Sequence, residues 1–279
     1  MELKSTHKKI LIAGPCSLED WSTVSMIAQN CKYLADQDGF DYVFKGSFDK
    51  ANRTSVNSKR GIGIDEAKWM FRSLREFGID KITTDIHEPW QAKELEPYVD
   101  IIQIPAYLCR QTDLLVAAGE TGKIVNIKKG QFISGKNMIH AINKVKSTGN
   151  NNIMLTERGS MFGMGDLVVD PRQIVDMKEL GVPVILDCTH STQRPNSGGT
   201  TDGQPKYTLP MAKVGKALGV DASEGGLAQK GAALQKDATR DKARGARAGQ
   251  EAKFKSYIAN SAKTIANDLA KLGMEVDDD

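Results

Sequence analysis

The feature of this sequence that most constrains its fold is a repeated alternation of short apolar runs with longer amphipathic stretches. Two of the stretches, 66–77 and 138–146, carry apolar residues at helical spacing. Strands that alternate with helices indicate βαβ units and a parallel sheet. The runs that predict strands are 10–13, 42–48, 81–86, 101–105, 124–128, 153–157 and 182–188.

A polar residue lies within a few positions of the carboxyl end of each predicted strand. These residues are Cys16, Lys45, Asp85, Gln103, Lys128, Arg158 and His190. Both an open doubly wound sheet and a (β/α)₈ barrel place ligand-binding residues at the carboxyl ends of strands. Because successive strands each contribute one such residue, the pattern favours a ring around a single pocket. The sequence therefore predicts one (β/α)₈ barrel domain over residues 1–279.

The character of the chain changes after residue 219. Residues 222–252 are rich in Ala, Gly, Lys, Gln and Arg and contain almost no β-branched residues. We expect the eighth strand, which would close the barrel, to be divergent or degraded in this atypical segment. Helical spacing of apolar residues resumes over 254–272 and predicts a C-terminal helix.

The composition excludes several classes of partner. The formal net charge of +3 is too small to indicate a nucleic-acid-binding protein. The apolar run 10–13 is too short for a signal peptide or a membrane span. Four cysteines without CxxC spacing indicate reduced thiols. We therefore expect a cytoplasmic protein that binds neither membranes nor nucleic acid.

Cations end three of the predicted strands. Lys45, Lys128 and Arg158 would converge on one rim of the barrel, where they would repel each other unless an anion lies between them. Phosphate and carboxylate groups are the obvious ligands, because Arg and Lys bind both. A solvated charged loop or a structural ion pair remains an alternative explanation for each cation.

Cys16 and His190 follow the first and the seventh predicted strands. Because the first and last strands of a barrel are neighbours, the two side chains could meet, and a thiolate with an imidazole suits a borderline-soft divalent metal. A single buried Cys or His is more often a packing residue. Asp85 and His87 could bind sugar hydroxyls or orient a ligand, although Asp85 or Glu88 could instead cap a helix.

Several motifs together resemble one family, the 3-deoxy-D-manno-octulosonate 8-phosphate synthases, over about residues 10–219. Motifs in a fixed order are far more specific than any single one. They are KANRTS at 50–55, TDIHE at 84–88, QIPAY at 103–107, RQTDL at 110–114, NIKKGQF at 126–132, TERG at 156–159, GDLVVD at 165–170 and DCTHS at 187–191.

The resemblance implies a (β/α)₈ barrel, a homotetramer and a reaction in lipopolysaccharide biosynthesis. That reaction joins phosphoenolpyruvate to D-arabinose 5-phosphate and releases phosphate. It also implies the roles of individual residues, with Arg53 acting across a subunit boundary. Phosphoenolpyruvate would be held by Lys45, Lys50, Lys128 and Arg158, the sugar phosphate by Asn52, Arg53 and Thr54, and the sugar by Asp85, His87 and Gln103, with further substrate contacts from Pro105, Ala106 and Phe162.

The resemblance also implies a divalent metal such as Mn, Fe or Zn. Cys16 is typical of the metal-dependent branch of the family, and His190 would be the second ligand. The family carries acidic ligands in and after its eighth strand, beside a Glu-x-His-Pro motif that this chain lacks. Glu224 and Asp237 are the best substitutes for these ligands.

Two other readings remain open. The chain could be another phosphoenolpyruvate-condensing barrel, either 3-deoxy-D-arabino-heptulosonate 7-phosphate synthase or sialic acid synthase. The former carries Pro where this chain has Asn52, which speaks against it. A catalytically silent barrel used for binding or assembly is the other reading, and the divergent eighth strand favours it.

Overall fold

The structure, a computed structural model, describes residues 9–53, 56–161, 166–197, 200–202 and 204–226. Eight parallel strands form a closed barrel in which each strand pairs with its neighbours in the barrel sequence, so the predicted (β/α)₈ architecture is confirmed. The barrel strands are β1 (Ile10–Ser17), β2 (Asp41–Ser47), β3 (Ile82–Asp85), β4 (Ile101–Ile104), β5 (Ile124–Lys128), β6 (Ile153–Glu157), β7 (Val184–Asp187) and β8 (Ala222–Gly226).

Helices connect the strands and cover the outside of the barrel. The side chain of Asp20 accepts a hydrogen bond from the backbone N–H of Thr23 and so fixes the start of the first helix. None of the helices in the described ranges is both long and apolar enough to cross a membrane. The helices are α1 (Trp21–Gln37), α2 (Ile64–Glu76), α3 (Pro89–Leu95), α4 (Thr112–Glu120), α5 (Ile139–Lys146), α6 (Pro171–Lys178) and α7 (Thr208–Ala217).

Side chains alternate between the two faces of the barrel wall. One set packs in the interior as a layer of mostly β-branched residues, and the other set packs against the helices. The interior layer consists of Ile12, Val43, Ile101, Ile124, Met154, Ile185 and Ala222. Two residues further along six of these strands, the next inward position is polar and lies nearer the carboxyl-end mouth of the barrel: Lys45, Gln103, Asn126, Thr156, Asp187 and Glu224.

The eighth strand is present, at the start of the segment that the sequence set apart as atypical. Strand β8 pairs with β1 on one side, where Glu224 faces Ile12, and with β7 on the other, where Glu224 faces Asp187. The expectation of a divergent eighth strand is confirmed. Hydrogen bonds to two flanking strands hold β8, so it needs few apolar side chains of its own. The remainder of 222–252 and the predicted helix 254–272 lie outside the described residues.

Strand β1 continues beyond its predicted end to Ser17. Its pairing register with β2 shifts between Ala13 and Cys16, and Cys16 adopts a left-handed backbone conformation with φ of 67°. Such a conformation costs about 1–3 kcal/mol in a non-glycine residue and persists only where the surrounding structure imposes it. This bulge sets where the thiol of Cys16 lies in the barrel mouth.

Two glycines on adjacent strands permit a direct test of this packing. A Cβ atom on Gly14 would lie 1.9 Å from the backbone oxygen of Lys45, whereas a Cβ atom on Gly225 would meet nothing closer than 3.9 Å. Because backbone cannot give way as a side chain can, we expect Gly14→Ala to lower the free energy of unfolding by about 3 kcal/mol or more. Gly225→Ala should change it by less than about 1 kcal/mol. Urea unfolding of both variants measures the difference, and equal losses would contradict the close approach at Gly14.

Candidate active site

Buried lysines and carboxylates form one network in the mouth of the barrel. Lys128 donates a hydrogen bond to Asp187 and another, of 2.9 Å, to Oε1 of Glu224. The Nζ atom of Lys45 lies 3.3 Å from the same Glu224 oxygen. Burial lowers the pKa of Lys45, but the charges of Glu224 and Cys16 outweigh it and raise the pKa above its ordinary value. Lys45 is therefore held as a cation.

This network corrects the expectation that only a ligand anion would separate the converging cations. Glu224 and Asp187 place two carboxylates of the protein itself between Lys45 and Lys128. Glu224 had been considered only as a metal ligand, and Asp187 had been given no role. The signal available for Asp187 was its place at the end of the apolar run before Cys188, where an acidic residue needs a partner once it is buried.

Cys16 and His190 meet, as predicted. The Sγ atom of Cys16 lies 3.6 Å from Nε2 of His190. The reason given for this proximity was wrong, because β8 lies between β1 and β7, so the two side chains come from strands that are not adjacent. On its other side the ring of His190 is hydrogen-bonded through Nδ1 to Asp187, at 2.8 Å. Asp187 thus orients the ring so that Nε2 faces the thiol.

The charges of this pair follow from its neighbours. Burial raises the pKa of Cys16, but the positive charges of Lys50 and His190 outweigh it and bring the pKa well below its ordinary value. Burial lowers the pKa of His190, and the carboxylate of Asp187 more than compensates, so this pKa is raised. The neighbouring groups therefore favour the charged form of both side chains.

The same residues fit a divalent metal ion. Asp187, His190 and Glu224 each offer a ligand atom, and these atoms lie within 4.8 Å of one another. Oε2 of Glu224 is buried and has no hydrogen-bond partner in the described part of the chain. A tetrahedral ion with ordinary zinc–sulfur and zinc–nitrogen bonds holds these two ligand atoms about 3.6 Å apart, which matches the separation of Cys16 and His190. Asp237 lies outside the described residues.

The predicted substrate-binding residues after β2, Lys50 for phosphoenolpyruvate and residues 52–54 for the sugar phosphate, divide into two groups. Lys50 reaches the site, where Nζ lies 2.8 Å from Oγ of Ser47 and 3.4 Å from Sγ of Cys16. Asn52 and Arg53 are exposed, and the structure does not bring them into the barrel mouth. Thr54 and Phe162 lie outside the described ranges.

A cluster of polar side chains with unpaired hydrogen-bonding atoms lies at the ends of β3 and β4. It consists of Asp85, His87 and Gln103. Oδ2 of Asp85 is 3.4 Å from Nε2 of His87. Three buried atoms have no hydrogen-bond partner among the described residues: Oδ1 of Asp85, Nδ1 of His87 and Oε1 of Gln103. Buried polar atoms without partners are unfavourable, so this group suits a ligand that carries hydroxyls. The position that caps helix α3 is Glu88, so the alternative that Asp85 caps a helix is wrong.

The turn that follows β4 completes this side of the mouth. Pro105 is partly buried, and Ala106 is buried at the start of a short 3₁₀ turn, Ala106–Leu108. The fixed φ of the proline makes this turn stiff. Both residues come shortly after the inward-facing Gln103 in the chain, and they form the wall of the barrel mouth next to it.

Arg158 is a buried cation that forms no ion pair with a carboxylate within the described residues, although Asp187, Glu157 and Glu224 act on it electrostatically. Its Nη2 atom donates a 3.2 Å hydrogen bond to Oε1 of Gln193, and its buried Nη1 atom has no partner there. Burial lowers its pKa. The alternative of a structural ion pair finds no support among the described carboxylates. An unpaired buried guanidinium is costly and suits an anionic ligand. Gln193, in a polar loop, was not predicted, and nothing in the sequence singled it out.

The chain is similar to known proteins over most of the described barrel, up to the start of β8. A family model described as the DAHP synthetase I family matches residues 4–222. A protein named 2-dehydro-3-deoxyphosphooctonate aldolase from Fusobacterium nucleatum is 49% identical over 214 residues, which cover 76% of this chain and 77% of that protein. Proteins of the same name from Syntrophotalea carbinolica and Agrobacterium fabrum are 46% and 47% identical, over 77% of this chain and 78% and 77% of theirs.

The buried network predicts that Asp187 is costly to remove. Asp187→Ala leaves the ammonium of Lys128 with one carboxylate fewer and His190 without its partner, so we expect a loss of about 3–5 kcal/mol in the free energy of unfolding. Asp36→Ala removes an exposed partner of Lys32 and is the matched control, with an expected change of less than about 0.5 kcal/mol. Urea denaturation measures the free energy of unfolding of both variants. Similar losses in the two would show that the contacts of Asp187 do not stabilise the fold.

Proposed function

We propose that this chain, which belongs to the DAHP synthetase I family, condenses phosphoenolpyruvate with D-arabinose 5-phosphate to give 3-deoxy-D-manno-octulosonate 8-phosphate and phosphate. The observation that carries the proposal is the buried guanidinium of Arg158, which has no carboxylate partner among the described residues and lies at the mouth that Lys128 also lines. The name shared by relatives 46–49% identical to this chain supports the choice of substrates.

Phosphoenolpyruvate carries a phosphate and a carboxylate, and the site offers cations for both. Arg158 has free donors for an anion, and Lys45, Lys50 and Lys128 add positive charge around the same mouth. Arg binds such oxygens in a planar, paired geometry, whereas Lys acts as a point charge. This division supports Arg158 as the residue that orients the substrate, with the lysines balancing its charge.

The reaction places few demands on the protein beyond position and charge. C3 of phosphoenolpyruvate attacks the aldehyde carbon of the sugar, water adds to C2, and the C–O bond to the phosphate breaks as phosphate leaves. The cations stabilise the negative charge that gathers on the departing phosphate. Asp85 and Gln103 accept hydrogen bonds from sugar hydroxyls, and His87 orients the sugar beside Asp85.

The phosphate end of the sugar is assigned to Asn52, Arg53 and Thr54. The exposure of Asn52 and Arg53 supports a site at the outer edge of the mouth. It also agrees with an arrangement in which Arg53 serves the site of a neighbouring subunit in a homotetramer. Such an enzyme acts in the cytoplasm, where both substrates are available.

A divalent metal ion belongs to the proposal. Cys16, His190 and Glu224 would hold it, with Asp237 as a further ligand, and Asp187 would keep the His190 ring in place. When bound, the ion supplies Lewis acidity that orients the sugar aldehyde or a water molecule. The free Oε2 atom of Glu224 and the spacing of Cys16 and His190 support this set of ligands.

The other readings are less well supported. The closed barrel, with Glu224 delivered to the site by β8, removes the main observation in favour of a catalytically silent barrel. A heptulosonate phosphate synthase remains disfavoured by Asn52. The choice of sugar distinguishes all of these.

The first prediction from this proposal concerns the sugar. We expect kcat/KM for D-arabinose 5-phosphate to exceed that for erythrose 4-phosphate and for unphosphorylated sugars by about a hundredfold or more, because one missing polar contact leaves partners in the site unpaired. Phosphate release measures the rates. Arg53→Ala should raise KM for the sugar phosphate, with a loss of about 2–3 kcal/mol. A four-carbon sugar used as well as the five-carbon sugar would contradict the proposal.

The second prediction concerns the metal. Chelation of the purified protein should abolish phosphate release, and Mn²⁺ or Zn²⁺ should restore it. Because part of the ligand set lies in the atypical segment, we expect binding weaker than in relatives with the full set. Titration with Zn²⁺, followed by metal analysis of Cys16→Asn and the unchanged protein, provides a readout independent of activity. Full activity in chelator, or no zinc retained by the unchanged protein, would contradict the metal site.

A further inference from the structure

A second buried ion pair lies directly behind the cations of the anion pocket. Lys129 and Glu157 are both fully buried, and their Nζ and Oε2 atoms are 3.5 Å apart. Each is the chain neighbour of a pocket cation, since Lys129 follows Lys128 and Glu157 precedes Arg158. None of the roles assigned above uses this pair.

The alternation of side chains explains the placement. In β5 and β6, Ile124 and Met154 face the barrel interior, whereas Ile127 and Leu155 face the helices. Continued at period two, this pattern carries the Lys128 side chain inward and the Glu157 side chain outward. The pocket cations and the buried pair thus occupy opposite faces of the same two strand ends.

Lys129 ties the two connecting loops together. Its ammonium donates to the backbone oxygens of Gly130, at 3.2 Å, and Ile133, at 3.4 Å, both in the loop after β5. It also donates to Oγ of Ser160, at 3.0 Å, in the loop after β6. One cation therefore joins the loop that leaves Lys128 to the loop that leaves Arg158.

Glu157 holds the second loop from the other side. Its Oε1 atom accepts a 2.7 Å hydrogen bond from the backbone N–H of Gly159, which has a φ of 88°. That conformation favours glycine, so the chain turns sharply immediately after Arg158. A 3.0 Å backbone hydrogen bond from Met161 to Gln131 joins the loops a second time.

Stability alone does not account for this arrangement. Burying an ion pair removes two charges from water, and apolar residues of similar volume often serve the fold as well. We propose that Lys129 and Glu157 are positioning residues for the anion pocket, which fix the two loops so that Lys128 and Arg158 converge on phosphoenolpyruvate. The inference rests on the proposed function, since it takes phosphoenolpyruvate as the ligand of that pocket.

The test removes the pair in two ways. Lys129→Met deletes the ammonium and leaves Glu157 alone, and the double variant Lys129→Met with Glu157→Gln also removes the stranded charge. The Gln side chain still offers an oxygen to the Gly159 N–H. Lys136→Met is the matched control. Lys136 also lies in the segment after β5, but its ion pair, with Asp176 of α6, is largely exposed. Unfolding in urea, steady-state kinetics and calorimetric titration with phosphoenolpyruvate are measured for each.

We expect the double variant to recover stability that Lys129→Met loses, while its KM and Kd for phosphoenolpyruvate stay about tenfold or more above the unchanged protein. KM for the sugar phosphate should stay within about twofold, and Lys136→Met should shift neither constant by more than about twofold. A double variant that folds and keeps the original phosphoenolpyruvate constants would overturn the positioning role. If the unchanged protein binds no phosphoenolpyruvate, it is the proposed function that fails. If Lys129→Met does not fold, the double variant and Glu157→Gln alone still decide the question.

Discussion

Two carboxylates share the ammonium group of Lys128 in the barrel mouth, and the geometry of the site depends on that contact. Asp187 also holds the ring of His190, and Glu224 also pairs with Lys45. Strands β2, β5, β7 and β8 are thereby linked through charged groups that are removed from water. Because each buried charge needs its partners, a shift of one strand would disturb the others.

The site therefore contains two kinds of cation. The lysines of the network are balanced by carboxylates of the protein, so they contribute fixed positions more than net charge. Arg158 forms no ion pair with a carboxylate among the described residues. It donates a hydrogen bond to the amide oxygen of Gln193. A ligand anion gains the most binding energy beside a charge that the protein has left unpaired. This distinguishes Arg158, which would bind the anion, from Lys45 and Lys128, which shape the pocket. Lys129 and Glu157 form a similar buried pair of opposite charges on the helix-facing side of the barrel wall.

Much of this organisation could be predicted from the sequence. The apolar runs and their polar ends predicted the ring, and they predicted that Lys45, Lys128 and Arg158 would face one mouth. The contact of Cys16 with His190 was also predicted, although the path between their strands was not. These successes share a cause, since period-two alternation and strand ends are local properties of the chain.

The features that escaped prediction depend on contacts between distant strands. Asp187 is important because Lys128 and His190 lie beside it. Its place at the end of a buried strand indicates that it needs a partner, but does not identify that partner. The sequence left open whether β8 is a divergent strand or a degraded one, because its residues are not apolar and the bonds that hold it come from neighbours on both sides. The exposure of Arg53 likewise depends on how its loop leaves β2.

Closure by β8 also has a consequence for how the protein is made. Until residues 222–226 have left the ribosome, β1 and β7 are both edges of an open sheet, with unpaired backbone groups beside apolar side chains. Such edges readily pair with other chains, and domains emerge from the ribosome at only about 5–20 residues per second. The barrel therefore cannot close before the small, polar eighth strand is available to pair with both edges.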